Sequence, residues 1–276
     1  MAATSVVICN NALTLIGSRR ITALSDPSKE ARVCNDNYDT CRKAVLRIHP
    51  WNFACERVEL TGKTITNIVD SGAGLIKVTA ASHGLSTGNY ATIEGVVGTV
   101  EANITNVKVT VIDANNFTID GSSFSNTYIS GGKVSLAPGF EFIYKFALPS
   151  GCLRVLAPKD GSDEPLSNKE WKVEGAFLLT NYSTVRVRYI NDVSDTTKFD
   201  SLFDEALAAY LAQKICLKIT GSEVAAEGAR RNLKDLMEKA RFVDSTEDPA
   251  EVYDCDDWTR ARHGAGDGFV RNPMTN

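Results

Sequence analysis

The pattern of hydrophobic and polar positions changes twice along the chain. In the first 60 residues, apolar side chains recur every three or four positions, which is the period of a helix buried on one side. Residues 61–137 instead carry short β-branched runs separated by Gly, Asn, Ser and Asp, a pattern typical of strands joined by turns. Residues 138–276 return to a charged, mixed pattern. We therefore predict an α+β protein in which a β-rich segment interrupts a partly helical region.

The N-terminal region predicts two helices. The first spans about residues 5–16 and ends at Gly17. The second is predicted to have Asp26 as its N-cap and Pro27 in its first turn, because Asp accepts hydrogen bonds from free amides and Pro has no amide to leave unpaired. Pro50 ends this helix, since its ring cannot continue the hydrogen-bond ladder.

The middle segment predicts a small closed β-barrel or sandwich. Short strands at this spacing are typical of such all-β folds. The segment contains no cysteine, so it offers little for nucleophilic chemistry. The predicted strands are Thr64–Val69, Leu75–Thr79, Tyr90–Ile93, Ile104–Ile112, Phe117–Ile119 and Tyr128–Val134.

The chain after residue 138 predicts an antiparallel β-domain followed by a helical hairpin. Residues 184–189 alternate strictly, so Val185, Val187 and Tyr189 share one face and Arg186 and Arg188 share the other. The next segment predicts two helices, the first capped by an aspartate at position 200 and ended by a glycine at 221, the second capped by a serine at 222.

The predicted organisation therefore has three parts. Residues 1–60 and 138–248 form one domain, in which the N-terminal helices and the C-terminal αα-hairpin make a helical bundle beside an antiparallel β-domain. Residues 61–137 form an inserted small β-barrel. Residues 249–276 lose all periodicity and are predicted to be an extended C-terminal arm.

Composition and charge narrow the functional classes. The 276 residues carry a net charge of −4, with 43% hydrophobic and 23% charged residues, which is typical of a soluble globular protein and not of a basic nucleic-acid binder. No apolar run reaches the ~18 residues of a membrane anchor. Seven cysteines lack CxxC spacing, which favours buried thiols over a zinc site. We predict no catalytic residues, no metal and no cofactor.

Several motifs resemble a known family. They are Asn11-Ala12-Leu13, Leu15-Ile16-Gly17, Ala31-Arg32, Tyr38-Asp39 and above all the run LRIHPWNFA at residues 46–54, followed by Phe146-Ala147-Leu148-Pro149 and Trp171. Together they resemble the head-to-tail adaptor proteins of short-tailed bacteriophages, of the tail tubular protein A type. The runs SHGLSTGNYATIEGVVGT and DANNFTIDG resemble a small β-barrel of phage tail proteins, which is related to a domain of ubiquitin-activating enzymes.

The resemblance implies a structural virion protein and not an enzyme. Its expected form is a homo-oligomer, a dodecameric ring at the head–tail junction, assembled in the cytoplasm of the host bacterium. Its expected partners are the portal protein, the tail nozzle protein and double-stranded DNA, which passes through the lumen without sequence-specific binding. The alternative is a tail-associated host-recognition or carbohydrate-binding protein that acts through the barrel insert.

Three sets of residues have predicted roles. Pro50 ends the second helix and alternation then sends the next two aromatic residues to one side, where they are expected to anchor the helices against the sheet. Aromatic and basic residues of the C-terminal arm are expected to contact the portal. The sets are His49, Pro50, Trp51 and Phe53 as the structural anchor; Tyr253, Trp258, Arg260, Arg262 and Phe269 as the portal contact; and Arg186 and Arg188 as channel or interface arginines.

Overall fold

A computed structural model of the chain describes residues 4–247. These residues form a mixed α+β protein with four α-helices and several antiparallel sheets, which confirms the predicted class. The predicted arm over residues 249–276 lies outside the described residues. The helices are α1 (Ser5–Leu15), α2 (Lys29–Ile48), α3 (Ser201–Thr220) and α4 (Glu223–Glu247).

The second helix begins two residues later than predicted. Ser28 and not Asp26 is its N-cap, because the Ser28 hydroxyl accepts from the Ala31 amide at 3.2 Å. Asp26 instead closes the preceding turn, where its carboxylate accepts from the amides of Thr22 at 2.8 Å and Ala23 at 3.1 Å. The hydrogen bonds from Ala23 and Thr22 also lower the pKa of Asp26.

The caps of the helical hairpin are those that the sequence predicts. The Asp200 carboxylate accepts from the Leu202 amide at 2.7 Å, which begins α3. Gly221 ends α3 in the left-handed conformation at φ +67°, which glycine adopts without strain. The Ser222 hydroxyl then accepts from the Ala225 amide at 3.2 Å and begins α4.

Fourteen strands form three antiparallel sheets within residues 4–247. A four-stranded sheet has the order β1-β14-β10, with β11 also paired to β14, and a three-stranded sheet has the order β12-β13-β9. The strands are β1 (Cys55–Thr61), β2 (Lys63–Thr64), β3 (Asn67–Asp70), β4 (Ile76–Thr79), β5 (Tyr90–Val97), β6 (Val107–Val111), β7 (Asn116–Ile119), β8 (Ser130–Ala137), β9 (Tyr144–Ala147), β10 (Cys152–Val155), β11 (Lys159–Asp160), β12 (Trp171–Glu174), β13 (Phe177–Thr180) and β14 (Thr184–Asn191).

The inserted segment is a seven-stranded sheet with the order β2-β8-β5-β6-β7-β4-β3. Its strand pairing is that of an antiparallel sheet and not of the closed barrel that the sequence predicts. The two edge strands are β2 and β3. Strand β2 pairs with β8 over two residues only, and β3 pairs with β4 at the other edge of the sheet. We call residues 63–137 the inserted module.

Three clusters of buried side chains hold these parts together. The largest lies among the four helices and contains Trp51 and Phe203, both fully buried. A second fills the inserted module around Phe117, and a third lies between the two smaller sheets around Leu178. Because each cluster has its own buried side chains, the fold consists of a helical unit, a two-sheet unit and the inserted module.

Candidate interaction surfaces

The predicted anchor packs against a helix and not against a sheet. Residues 52–54 form a 3-10 turn instead of an extended segment, so the aromatic side chains turn towards α3. Trp51 is 1% exposed, its ring meets the ring of Phe203 edge-on at 5.2 Å, and its indole N–H donates to the Val45 carbonyl at 3.1 Å. The Phe53 ring lies 5.1 Å from that of Phe203.

The remaining anchor residues border this cluster. The His49 ring meets the Trp51 ring edge-on at 5.1 Å, and Pro50 is half-buried immediately after α2. The run from His49 to Phe53 therefore joins the end of α2 to α3 through aromatic packing, which is a structural role.

The two arginines of β14 lie on the outer face of the four-stranded sheet. Val185 and Val187 are buried, Arg186 is exposed and Arg188 is half-buried, as the strict alternation predicts. Their role as channel or interface arginines stays a prediction. The residues predicted to contact the portal lie outside the described residues: Tyr253, Trp258, Arg260, Arg262 and Phe269.

The α3–α4 hairpin carries large apolar side chains on its outer surface. Leu217 near the end of α3 is 57% exposed, Val224 at the start of α4 is 85% exposed, and Phe242 near its end is 71% exposed. Helix α4 has 25 residues, but only Ala229, Met237 and Ala240 are buried in its described part. One narrow stripe of α4 therefore faces α3, and most of the helix lies at the surface.

Two open grooves lie on the hairpin, and the exposed Leu217 lines the first of them. The first has a volume of about 650 Å³ and lies between α3 and α4 beside Leu217. The second has a volume of about 340 Å³ and lies where α1 meets the hairpin. Lining residues are Gln213, Lys214, Leu217, Glu223, Ala226, Glu227 and Arg230 in the first groove, and Asn11, Thr14, Leu15, Glu205, Ala208, Asn232 and Leu236 in the second.

The charges on α4 are paired along the helix. Arg230 lies 3.5 Å from Glu227, and the guanidinium of Arg231 lies 3.8 Å from the same carboxylate group. Lys234 lies 4.0 Å from Glu238 one turn further on. These contacts leave the surface of α4 without a strong field of either sign, so its exposed apolar side chains are its main binding feature.

Residues 4–247 contain two histidines, His49 and His83, and both make contacts within the fold. His83 lies in a turn of the inserted module, where one ring nitrogen contacts the Asp113 carbonyl and the other accepts from the Leu85 amide, both at 3.0 Å. In residues 4–247, no group of three His, Cys, Asp or Glu side chains could hold a metal ion. None of the helices in this range combines the length and the apolar character that crossing a bilayer requires.

The sequence interpretation missed the exposed apolar residues of the hairpin. The only signal for Leu217, Val224 and Phe242 was that they lie off the apolar stripes of the two predicted helices. A stripe of apolar residues along a helix identifies the face that is buried. Single apolar residues outside such a stripe are common on the surfaces of soluble proteins, so they do not by themselves predict a contact with a partner.

Comparison with known protein families gives a match in the inserted module. Residues 72–137 match the ubiquitin-activating enzyme E1 FCCH domain. The match begins after β3 and ends with β8, so it covers most of the seven-stranded sheet. The chain matches no curated protein.

This match overturns the predicted identification as a head-to-tail adaptor. The matched family is a domain of ubiquitin-activating enzymes and not a phage adaptor family. The predicted virion function is therefore wrong, and so is the alternative of a host-recognition or carbohydrate-binding tail protein. The run at residues 46–54, on which the identification mainly rested, is explained by the packing of Trp51 and Phe53 on α3, a structural role that does not specify a function.

Proposed function

We propose that this protein is a non-enzymatic structural protein whose copies associate through the outer surface of the α3–α4 hairpin. The observation that carries the proposal is the exposure of Leu217 and Val224 on one helical hairpin that also carries two open grooves. Apolar side chains at this level of exposure are stabilised when a partner covers them.

A second copy of the chain is the partner that we propose for this surface, because the hairpin carries both projecting apolar side chains and grooves that could receive them. Val224 projects from the start of α4, whereas the grooves lie between α3 and α4 and where α1 meets the hairpin. Projections and grooves at different places on one chain allow a heterologous contact between copies, in which one copy's side chains enter the groove of the next. The paired charges of α4 add no requirement for a strongly acidic or basic partner.

The inserted module is assigned no ubiquitin-activating chemistry. Covalent capture by a thiol requires a cysteine, and residues 72–137 contain none. We propose that the module serves as a binding or spacing domain. We further propose that its sheet curls into a closed barrel, because the single segment 63–70 supplies both edge strands of the sheet, β2 beside β8 and β3 beside β4.

The test is the molar mass of the protein as a function of concentration, measured by light scattering. The wild-type chain is expected to form a species larger than the monomer. Leu217→Glu places a charge in the contact and should weaken association at least about 100-fold, because an unpaired charge in an apolar interface costs several kcal/mol. Ile112→Glu is the matched control, since Ile112 is 54% exposed but belongs to the inserted module.

Association that survives Leu217→Glu, or that Ile112→Glu weakens equally, would place the contact elsewhere. A wild-type chain that stays monomeric at high concentration would refute the proposal. Circular dichroism of each variant must match that of the wild type, so that a loss of association is not a loss of folding.

A further inference from the structure

Strand β1 leaves one side of the four-stranded sheet open. The order of this sheet places β1 at its edge, where β14 is its one paired neighbour within residues 4–247. On the other side, residues 56–60 form no backbone hydrogen bond to any element of this range. The open stretch ends before Thr61, whose hydroxyl accepts from Lys133 of the inserted module at 2.9 Å. An open edge of this kind is a template on which another strand can pair.

The side chains along this edge alternate between two faces of the sheet. Arg57 and Glu59 are exposed on the outer face, whereas Val58 is half-buried and Leu60 is buried on the inner face. The Glu59 carboxylate accepts from the Arg186 guanidinium at 3.3 Å, which holds it on the outer face. The edge therefore presents one cation and one anion, two positions apart, with an apolar residue between them on the opposite face.

These charges favour one register with a second copy of the same strand. In an antiparallel pair centred on Val58, Arg57 of each copy lies directly opposite Glu59 of the other, so two pairs of opposite charge form. The same register places the two copies of Val58 opposite each other on the inner face. Because Val58 already packs against the buried cluster between the two smaller sheets, this pair extends that cluster across the contact.

Other registers are disfavoured by charge or by the alternation of the faces. An antiparallel pair centred on Arg57 brings two arginines together, and one centred on Glu59 brings two glutamates together; like charges directly opposite each other destabilise a sheet. A shift by one residue places the outer face of one copy in line with the inner face of the other. The sequence of β1 is therefore complementary to itself in one antiparallel register.

We propose that the open edge of β1 pairs antiparallel with β1 of a second copy, centred on Val58, so that one sheet continues across a two-fold axis. The contact is isologous, because the same residues meet from both sides, and it closes at a dimer. It is separate from the hairpin contact and does not rest on it. A ladder of five residues and two exposed ion pairs make a small contact, so it is weaker than a standard interface.

The test uses full-length Leu217→Glu chains, in which the hairpin contact is blocked, and sedimentation equilibrium at increasing concentration. We expect a dimer, and no larger species, at concentrations at least about 100-fold above those at which the wild type associates. In this background, Arg57→Glu alone and Glu59→Arg alone each place like charges opposite each other twice. Each should weaken dimerisation about tenfold or more.

A mixture of the two variants separates the proposed register from a general effect of charge. An Arg57→Glu chain and a Glu59→Arg chain have opposite charges at both contacts, so their equimolar mixture should dimerise as tightly as the Leu217→Glu parent. The double variant Arg57→Glu/Glu59→Arg should do the same with itself. Lys108→Glu is the matched control, because it reverses an exposed charge on the inserted module and should leave the dimer unchanged.

Dimerisation that is lost in each single variant and restored in the mixture would support the contact. Leu217→Glu chains that stay monomeric at every concentration, single variants that dimerise as tightly as the parent, or a mixture without restoration would overturn it. Circular dichroism must show that each variant keeps the fold. If the hairpin proposal alone is wrong, Leu217→Glu leaves wild-type association unchanged while the variants of β1 still weaken it.

Discussion

At the residue scale, Arg42 connects the helical unit to the sheets. This arginine of α2 is 2% exposed, and its guanidinium donates to the Asp192 carboxylate and to the Val193 carbonyl, both at 2.5 Å, and to Asp39 at 3.1 Å. Asp192 and Val193 follow β14 directly, so one side chain ties α2 to the strand that leads into α3. Removing either the buried guanidinium or its carboxylate acceptor destabilises the fold, because the remaining group is left buried without its partner.

Replacing Arg42 by Met should lower the free energy of unfolding by about 3 kcal/mol, since removal of one partner leaves buried acceptors unsatisfied. The loss is at the lower end of the usual range because Lys43 lies 3.4 Å from Asp192 and still pairs with it. Urea unfolding measures the difference. Lys43→Met is the control and should cost less than about 1 kcal/mol, because its ammonium is half exposed. An equal loss of unfolding free energy in the two variants would show that the burial of Arg42 does not make its ion pair more important for stability than the exposed pair of Lys43.

A second residue-scale prediction concerns Asp204 in the first turn of α3. Burial, and then the neighbouring charge of Asp200, raise the pKa of Asp204 to about 6, and one of its carboxylate oxygens is buried without a hydrogen bond. A raised pKa means that the fold disfavours the charged form. The resulting penalty is absent below the ordinary pKa near 3.8 and complete above about 6, so stability falls as the pH rises through this window.

Asp204→Asn should therefore stabilise the protein at pH 8, by about 1 kcal/mol because solvent reaches part of the carboxyl group, and should have little effect at pH 4. Thermal unfolding at both pH values measures the change. Asp36→Asn is the control, since that carboxylate is exposed on α2. A stabilisation that is the same at both pH values would contradict the assignment to the titration of Asp204.

At the element scale, the sequence predicted most reliably what depends on neighbouring residues. The hairpin caps at Asp200, Gly221 and Ser222 follow from local chemistry alone, and the structure confirms them. The prediction of the α2 N-cap was wrong because Asp26 and Ser28 are both good N-cap residues. Asp26 accepts from the Thr22 amide in the preceding turn, which leaves Ser28 to cap the helix. Local patterns do not rank two chemically adequate caps.

Features that depend on distant residues were beyond prediction. The open edge of the four-stranded sheet lies at β1 because β1 pairs on its other side with β14, across more than a hundred residues of chain. The alternation in β14 identified the outer face, but it gave no partner strand and no register. Likewise, the periodicity of the hairpin identified its buried stripe, but it left open that Leu217 and Val224 would remain uncovered.

At the scale of the whole molecule, the inserted module is joined to the rest of the chain at two adjacent points. A side chain at Gly62 would lie 2.6 Å from the Ser135 hydroxyl and 3.0 Å from the Val134 carbonyl, so the entry and exit strands touch. The module has its own buried cluster, and its contacts with the two-sheet unit include the hydrogen bond from Tyr144 to Glu94 at 2.5 Å. This arrangement is that of a domain inserted into a loop.

The division into an inserted module and a host domain can be tested by excision. A chain in which two glycines replace residues 63–134 should keep the helical unit and the two-sheet unit folded, because Gly62 and Ser135 already lie side by side. We expect a single cooperative thermal transition and the same self-association as the full chain, since the exposed residues of the hairpin are unaffected. The separate segment 63–137 should fold alone, as its buried cluster is complete within it. If the excised chain unfolds while the full chain is stable, the module is part of the structural core; if only the separate segment fails to fold, the module depends on its attachment to the two-sheet unit.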